Sequence, residues 1–594
     1  ELRRNTADLK RALEAAAAAQ EAFEEAKRRR GEEILAGLQP DQRALVVVSR
    51  AYNGCDPGAN LEIPRKLREM GELVIPMDFL PLDDVELPGD WFNMYWRYGH
   101  RILAAAEMIA RDDRLHAVYI TNFGCGPDSF LSRFFAERLG GKPFLQIEVD
   151  EHSADAGMIT RCEAYLDSLD STRGRTYRGG RTFRPLTIDG ANRRTVLIPN
   201  MSAHAHGLAA AFESCGMPAE VLPEPDKETL YWGRKYTTGK ECFPCIVTTG
   251  DMVKYMMHHP DERDQVAFFM GGSGGPCRFG QYNALQRMVL DDLGYEDVPM
   301  FAPNQASHFY DEMGIVGHKF LRNGWRGLVA VDMVDKAVLE LRPYETEPGA
   351  CDAAAEVSVR EIRQAIARDD DLPAVMRRIA RRFGDIAVDR AQRRPIIGIV
   401  GEFYVRANAF SNQNLIRQLE SLGAEVWTAP VFEWFLYRNF RRDMRARLDG
   451  DWKLVLKNKI TDGVMRRDEA ALARAMHDLL DNAEEPATDD VLEMAAPYVD
   501  KSFEGEAIMT VGKAVDFARK GLSGLVAVMP FTCMPGTVSN AILKRVREDE
   551  DGIPFLNMVY DGLEQSTALT RLEAFVHQAA EYARRVGNGL AETG

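Results

Sequence analysis

Cys242-Phe243-Pro244-Cys245 sets two thiols three residues apart, with a proline between them and the apolar pair Ile246-Val247 behind. Such a pair can turn two sulfurs onto one metal or onto each other. Alone it serves redox pairs, zinc ribbons and iron–sulfur sites alike. Four further cysteines narrow the chemistry by where they stand. Cys55 (AYNGCDPG) comes seven residues after Val48, Cys125 (TNFGCGPD) five after Ile120, Cys277 (GGSGGPCRFG) seven after Met270 and Cys533 (PFTCMPG) four after Met529. Each of those reference residues ends a short apolar run that reads as a strand.

The elements that must position these thiols follow an α/β rhythm. Strands are predicted at 44–48, 73–76, 116–120 and 143–149, separated by helices that include 127–139 and 155–169. The rhythm returns with strands at 195–198, 219–222 and 266–270. It returns again at 395–400, 426–429, 525–529 and 555–559, with helices at 412–422, 537–546 and 569–585. Strands alternating with helices predict parallel sheets covered on both faces. The fold class is therefore α/β, with several Rossmann-like domains around a central crevice. The expected divisions are an N-terminal helix (1–38), a first α/β domain (39–175), a second with the Cys-x-x-Cys pair (176–345), a helical bridge (346–392) and a third α/β domain (393–594). The Gly- and Arg-rich stretch 172–184 reads as a linker.

Ligands of open parallel sheets bind beyond the carboxyl ends of the strands. Four cysteines in four strand-to-helix turns are thus expected to converge on one crevice between domains. Glycines such as Gly54, Gly124, Gly274 and Gly536 permit tight turns and close approach to a bulky inorganic ligand. Helices starting just after Cys125, Cys245 and Cys533 would aim backbone N–H groups at the thiols and favour thiolate. Cys162 and Cys215 on helix faces, and Cys351 in a loop, read as small buried hydrophobes. In GGSGGPC a cysteine stands where G-x-G-x-x-G requires its third glycine, so a dinucleotide site is rejected. Structural zinc wants four ligands, usually in two short-spaced pairs, and only one pair exists. Six thiolates fit either one cluster with spare thiols or two cubanes held by three cysteines each. Soft donors in a glycine-rich crevice suit iron–sulfur chemistry.

Composition sets the outer limits. At 594 residues the chain is expected to hold three or four domains. Its 74 basic against 90 acidic residues give −16, with no basic stripe, which argues against nucleic-acid binding. Nine cysteines in so long a chain are no disulfide scaffold, and a reducing cytoplasm is expected. No apolar run approaches the roughly 18 residues of a membrane-spanning helix. The chain begins at Glu1 rather than Met, which reads as a processed or excised piece of something longer.

The motifs YNGCDPG, TNFGCGPDSFLSRFF, KECFPC, GGPCRFGQY, GEFYVR, PFTCMPG and DGLEQSTALTRLEAF, spread over about residues 44–576, carry a resemblance. The chain resembles the 2-hydroxyacyl-CoA dehydratase and double-cubane-cluster protein superfamily. It looks most like the dehydratase-like region found beside or fused to acyl-CoA dehydratase activases. The resemblance implies an [8Fe–9S] double cubane, two [4Fe–4S] units bridged by a sulfide, with three cysteines for each. Cys55, Cys125, Cys242, Cys245, Cys277 and Cys533 match that count. It also implies a homodimer, a small-molecule substrate, and electrons from a separate ATPase carrying its own [4Fe–4S] cluster. No G-x-x-x-x-G-K-[ST] loop occurs here, so ATP is expected on that activator. True dehydratases bind their clusters through fewer cysteines, so six in one chain favours a reductase component over a radical dehydratase. A non-catalytic cluster scaffold or electron relay of a larger activase polypeptide is the third reading. Two strand ends without cysteine, PNMSAHAH and GEFYVRANAF, offer His204, His206, Glu402, Tyr404 and Arg406 as contacts to the ligands or the substrate. No general acid or base stands out.

Overall fold

The computed structural model describes residues 5–87, 94–122, 126–172, 174–175, 177, 180, 194–303, 317–563 and 567–591. Among them are 21 α-helices and 12 strands. The strands form three four-stranded sheets in which every pairing is parallel. The first holds β1 (Ala44–Val48), β2 (Leu73–Pro76), β3 (Leu115–Asn122) and β4 (Phe144–Val149). The second holds β5 (Thr195–Ile198), β6 (Ala219–Val221), β7 (Val266–Phe269) and β8 (Met300–Phe301). The third holds β9 (Ile396–Gly401), β10 (Glu425–Thr428), β11 (Gly524–Pro530) and β12 (Phe555–Tyr560). Several Rossmann-like domains are the result. Sequence gives no sign of β8, because two residues carry no periodicity.

All three sheets share one order: second, first, third, fourth. The chain steps outward from the first strand to the second, then returns to add the third on the far side. Between the two central strands lies the switch point where such sheets bind ligands. The described segments that follow the central strands carry Cys55, Ser202 with His204, Cys277, Glu402 and Cys533. The strands read as continuous apolar runs because helices cover both faces; every residue of β1 and β11 is buried.

The chain divides into two compact units, Glu1–Pro185 and Leu186–Gly594. In the first, the helix Thr6–Gly37 starts where the Asn5 side chain accepts from the Asp8 N–H at 2.8 Å. Gly31 is its buried residue, and a Cβ there would lie 1.6 Å from the Phe79 carbonyl oxygen. Leu45, Val47, Ile120, Ile147 and Tyr165 pack in this unit's core. In the second, helices Gly317–Leu341, Ala350–Arg368, Leu372–Gly384 and Trp452–Met476 share a core through Trp325, Val329, Met333, Ile362, Ile379 and Met476. Each such side chain contributes roughly 1.5–3 kcal/mol by leaving water.

Two local expectations change. The helix foreseen at 412–422 spans only Leu415–Ser421, because Gln413 and Asn414 take left-handed backbone (φ 56° and 58°) that no helix admits. Cys351 lies not in a loop but in the first turn of Ala350–Arg368, where its N–H donates to Glu345 at 2.8 Å. Most of 172–184 lies outside the described residues. Among those described, no helix is long and apolar enough to cross a membrane.

His116 on β3 gives the first unit a pH signature. Burial, aided by Lys142 and Arg43, lowers its pKa to about 4, and its Nδ1 is buried without a hydrogen bond. Between about pH 6.5 and 4 the unfolded chain binds a proton that the folded chain refuses, so stability falls as pH falls through that window. Denaturant unfolding at pH 7 and pH 5 should show a smaller acid loss for His116→Gln than for the unchanged chain. An equal loss in both would contradict the assignment.

Candidate functional site

The loop after β7 builds the first part of the site. Gly275 takes φ 81°, and Cys277 then caps the short 3-10 turn Arg278–Gln281, its Sγ accepting from the Phe279 N–H at 3.5 Å. Arg278, only 4% exposed, reaches away from its own loop. Its guanidinium donates to the Lys240 carbonyl at 3.3 Å, and to the Thr532 carbonyl at 3.1 Å and hydroxyl at 3.0 Å. Lys240 stands two residues before Cys242, and Thr532 one before Cys533. One buried side chain thus ties three cysteine loops together. Thr532 holds φ 62°, a conformation that costs a β-branched residue roughly 1–3 kcal/mol.

Cys242 is the N-cap of helix Phe243–His258, and Cys533 that of helix Met534–Asp549. Pro244 and Pro535 occupy the first turns, where a missing N–H costs nothing. The helix starts before Cys245 rather than after it, so Cys245 is fully buried within the first turn. Glu241, also buried, closes the preceding loop by accepting from the Thr238 and Lys240 N–H groups at 3.0 and 3.1 Å.

Glu402 enters from the third sheet. Gly401 before it holds φ 108°, and any Cβ there would stand 2.2 Å from the Val528 carbonyl oxygen of β11. The Glu402 carboxylate caps the turn Phe403–Ala407, accepting from Tyr404 N at 3.1 Å and Val405 N at 2.9 Å. Burial nevertheless raises its pKa. Glu506, facing it, is pushed up to about 8 by burial and by Glu402 itself.

Cys242, Cys277, Cys533, Glu402 and Tyr404 line one cavity of about 20 Å³, with Arg278 and Tyr282. Cys245 lies buried beside Cys242, outside that lining. A larger apolar cavity of about 760 Å³ takes in Ser202, His204, Trp325 and Phe435, and shares Met201, Phe279, Phe403 and Tyr404 with the first. His206 and Arg406 line neither; Arg406 donates to the Gly401 carbonyl at 2.7 Å and steadies the Glu402 turn. In the first unit Cys55 is exposed, and Cys125 lies outside the described residues. The eight described cysteines are all free.

The expectation that these thiols favour thiolate does not hold for the protein as it stands. Burial raises the pKa of Cys242, Cys245, Cys277 and Cys533, outweighing Arg278, Tyr282 and the helix N-termini. Arg278 stays cationic: burial pulls its pKa down, but Cys242, Tyr282, Cys533 and Cys277 raise it above its usual value. The donor set fits a soft metal group. Among the described residues no three of these thiols come within 4.8 Å of one another, wider than the ligands of one tetrahedral ion. The space between them is about that of one water.

Residues 1–80 match the family described as the CoA enzyme activase uncharacterised domain. The match spans the N-terminal helix, β1, Cys55 and β2, and links this part of the chain to CoA-enzyme activases. No curated protein matches the chain.

Sequence reasoning missed Arg278, Tyr282 and Glu506. The first two stand inside the quoted GGPCRFGQY motif, where an arginine next to a candidate ligand was the available signal. Glu506 opens helix Glu506–Arg519 with nothing in sequence to relate it to Cys277. Replacing Arg278 by Ala should release the three loops. Cys277 and Cys533 should then react with a thiol reagent at least tenfold faster, read residue by residue by mass spectrometry. Unchanged labelling rates would show that Arg278 does not hold the site.

Proposed function

We propose that this chain is an iron–sulfur reductase component that takes single low-potential electrons from an ATP-dependent activator and passes them to a small substrate. The observation carrying the reading is that Cys242, Cys277 and Cys533, from three separate loops, line one pocket around the buried Arg278. A cluster held by these thiols would supply one-electron transfer at low potential. Its ligands would be Cys242, Cys277 and Cys533, with Cys245 beside them; in the double-cubane form the proposal extends to Cys55 and Cys125 on resemblance alone.

The chain's own residues set the conditions. Arg278 places a fixed positive charge among thiolates that would otherwise be buried uncompensated. Phe279, Phe403 and Tyr404 keep water out, and Glu506 stands as a protonated carboxyl near pH 7 beside Glu402. The activator is a partner of activase type, a reading supported by the match of residues 1–80. That match also favours a second reading, in which the chain relays electrons within a larger activase polypeptide without turning over substrate.

Anaerobic purification with iron and sulfide analysis tests the proposal. The unchanged chain should be brown and carry both elements. Cys242→Ser, Cys277→Ser and Cys533→Ser should each lose most of the iron, and Cys162→Ser should keep it. A colourless protein holding only zinc would end the iron–sulfur reading. Turnover of azide or an alkyne with activator and ATP separates the reductase from the relay.

A further inference from the structure

Outside the thiol pocket, one group of side chains has no role in the reading above. His204 opens the helix His204–Ser214, and Asp332 and Asp335 stand three residues apart on one face of the helix Gly317–Leu341. Val329, Val331 and Leu339 are buried on the same helix, and Lys336, one turn after Asp332, pairs with Glu485. One donor atom from each of the three residues lies within 4.8 Å of the other two. We propose that His204, Asp332 and Asp335 form a binding site for a divalent first-row cation of the Mn²⁺ or Zn²⁺ class, on the wall of the larger cavity.

The protein holds all three donors in place. The His204 Nδ1 lies 3.0 Å from the Ser202 hydroxyl, which directs Nε2 toward the carboxylates. Nε2 is buried in ion-pair contact with Asp332 Oδ1 at 3.0 Å, bent away from hydrogen-bonding geometry, and has no other partner among the described residues. His204 as a whole is 5% exposed. Asp332 is oriented from behind, its two oxygens accepting from Val431 N and Phe432 N at 3.0 Å each. Among the described residues no hydrogen bond or ion pair holds the Asp335 carboxylate; Arg342, paired with Asp352 and Glu420, acts on it only through space. An imidazole nitrogen and two carboxylates therefore face one point with no partner that satisfies all three. A hydroxyl on the second ring nitrogen and N–H donors behind a carboxylate are the supports that metal ligands require. A divalent cation would satisfy all three donors and retain an open position, as three-ligand sites do. One imidazole with two carboxylates suits Mn²⁺, Fe²⁺ or Zn²⁺ rather than the soft metals that thiolates take. Of the three residues, His204 reaches the cavity wall.

Mn²⁺ is the probe of choice, because hard ions avoid the thiol pocket. The full chain, dialysed against a chelator, is titrated with Mn²⁺ under electron paramagnetic resonance. One Mn²⁺ should bind per chain, with nitrogen coupling from an imidazole. His204→Ala should lose that coupling, and Asp335→Asn should weaken binding at least tenfold, while Cys277→Ser should leave both unchanged. Asp335→Asn is the decisive variant, since among the described residues its carboxylate supports no other bond; Asp332→Asn would disturb the backbone at 431–432. Circular dichroism checks that each variant is folded. A folded chain that takes up no Mn²⁺, or variants that bind it as tightly as the unchanged chain, would overturn the proposal and leave the trio a buried ion pair.

Discussion

The candidate site depends on one buried guanidinium. Arg278 sits in the turn that presents Cys277, yet its bonds to Lys240 and Thr532 reach the loops that present Cys242 and Cys533. Burying a charge costs several kcal/mol unless acceptors and counter-charges surround it. Two carbonyls and a hydroxyl accept from it here. In return, Thr532 is held in a left-handed conformation that a threonine in a free loop would leave. The Cys277 loop is glycine-rich, and Arg278 ties it to the loops on either side.

The larger architecture explains why those loops meet. The second and third sheets, in one compact unit, each add their third strand on the far side of their first. Both send central-strand loops toward a shared place, one bringing Cys277, the other Glu402 and Cys533. Two small-residue constraints keep the register: Gly401, where no Cβ fits against β11, and Gly275, whose φ turns the chain into Cys277. Phe279 and Phe403 meet edge to face at 6.1 Å and belong to the walls of both cavities. Soft sulfur donors therefore lie on one side of a thin aromatic partition, and His204 borders the other.

The sheets were legible because parallel strands buried on both faces leave unbroken β-branched runs, such as ALVVV in β1 and GLVAVMP in β11. That Cys277 and Cys533 share a pocket was legible for a related reason: position after a strand end is a sequence property, and in a parallel sheet it is also a position in space. What escaped reading depends on distance across the fold. Asp332 and Asp335 look like two polar residues in an amphipathic helix until His204 is seen opposite them. Arg278 looks like a surface arginine until the Thr532 loop closes on it. The protonation of the thiols was misjudged because helix N-termini are visible in sequence, whereas the depth of burial that outweighs them is not. His204 and Glu402 were singled out at strand ends, but which of the two cavities each would face follows only from the packed structure.

Diffraction data collected at the iron absorption edge from anaerobically grown crystals would test the central claim most directly. Iron-edge anomalous density bonded to Cys242, Cys277 and Cys533 beside the Arg278 guanidinium is the predicted result. Well-ordered free thiols in that pocket, or anomalous density at the zinc edge alone, would contradict it.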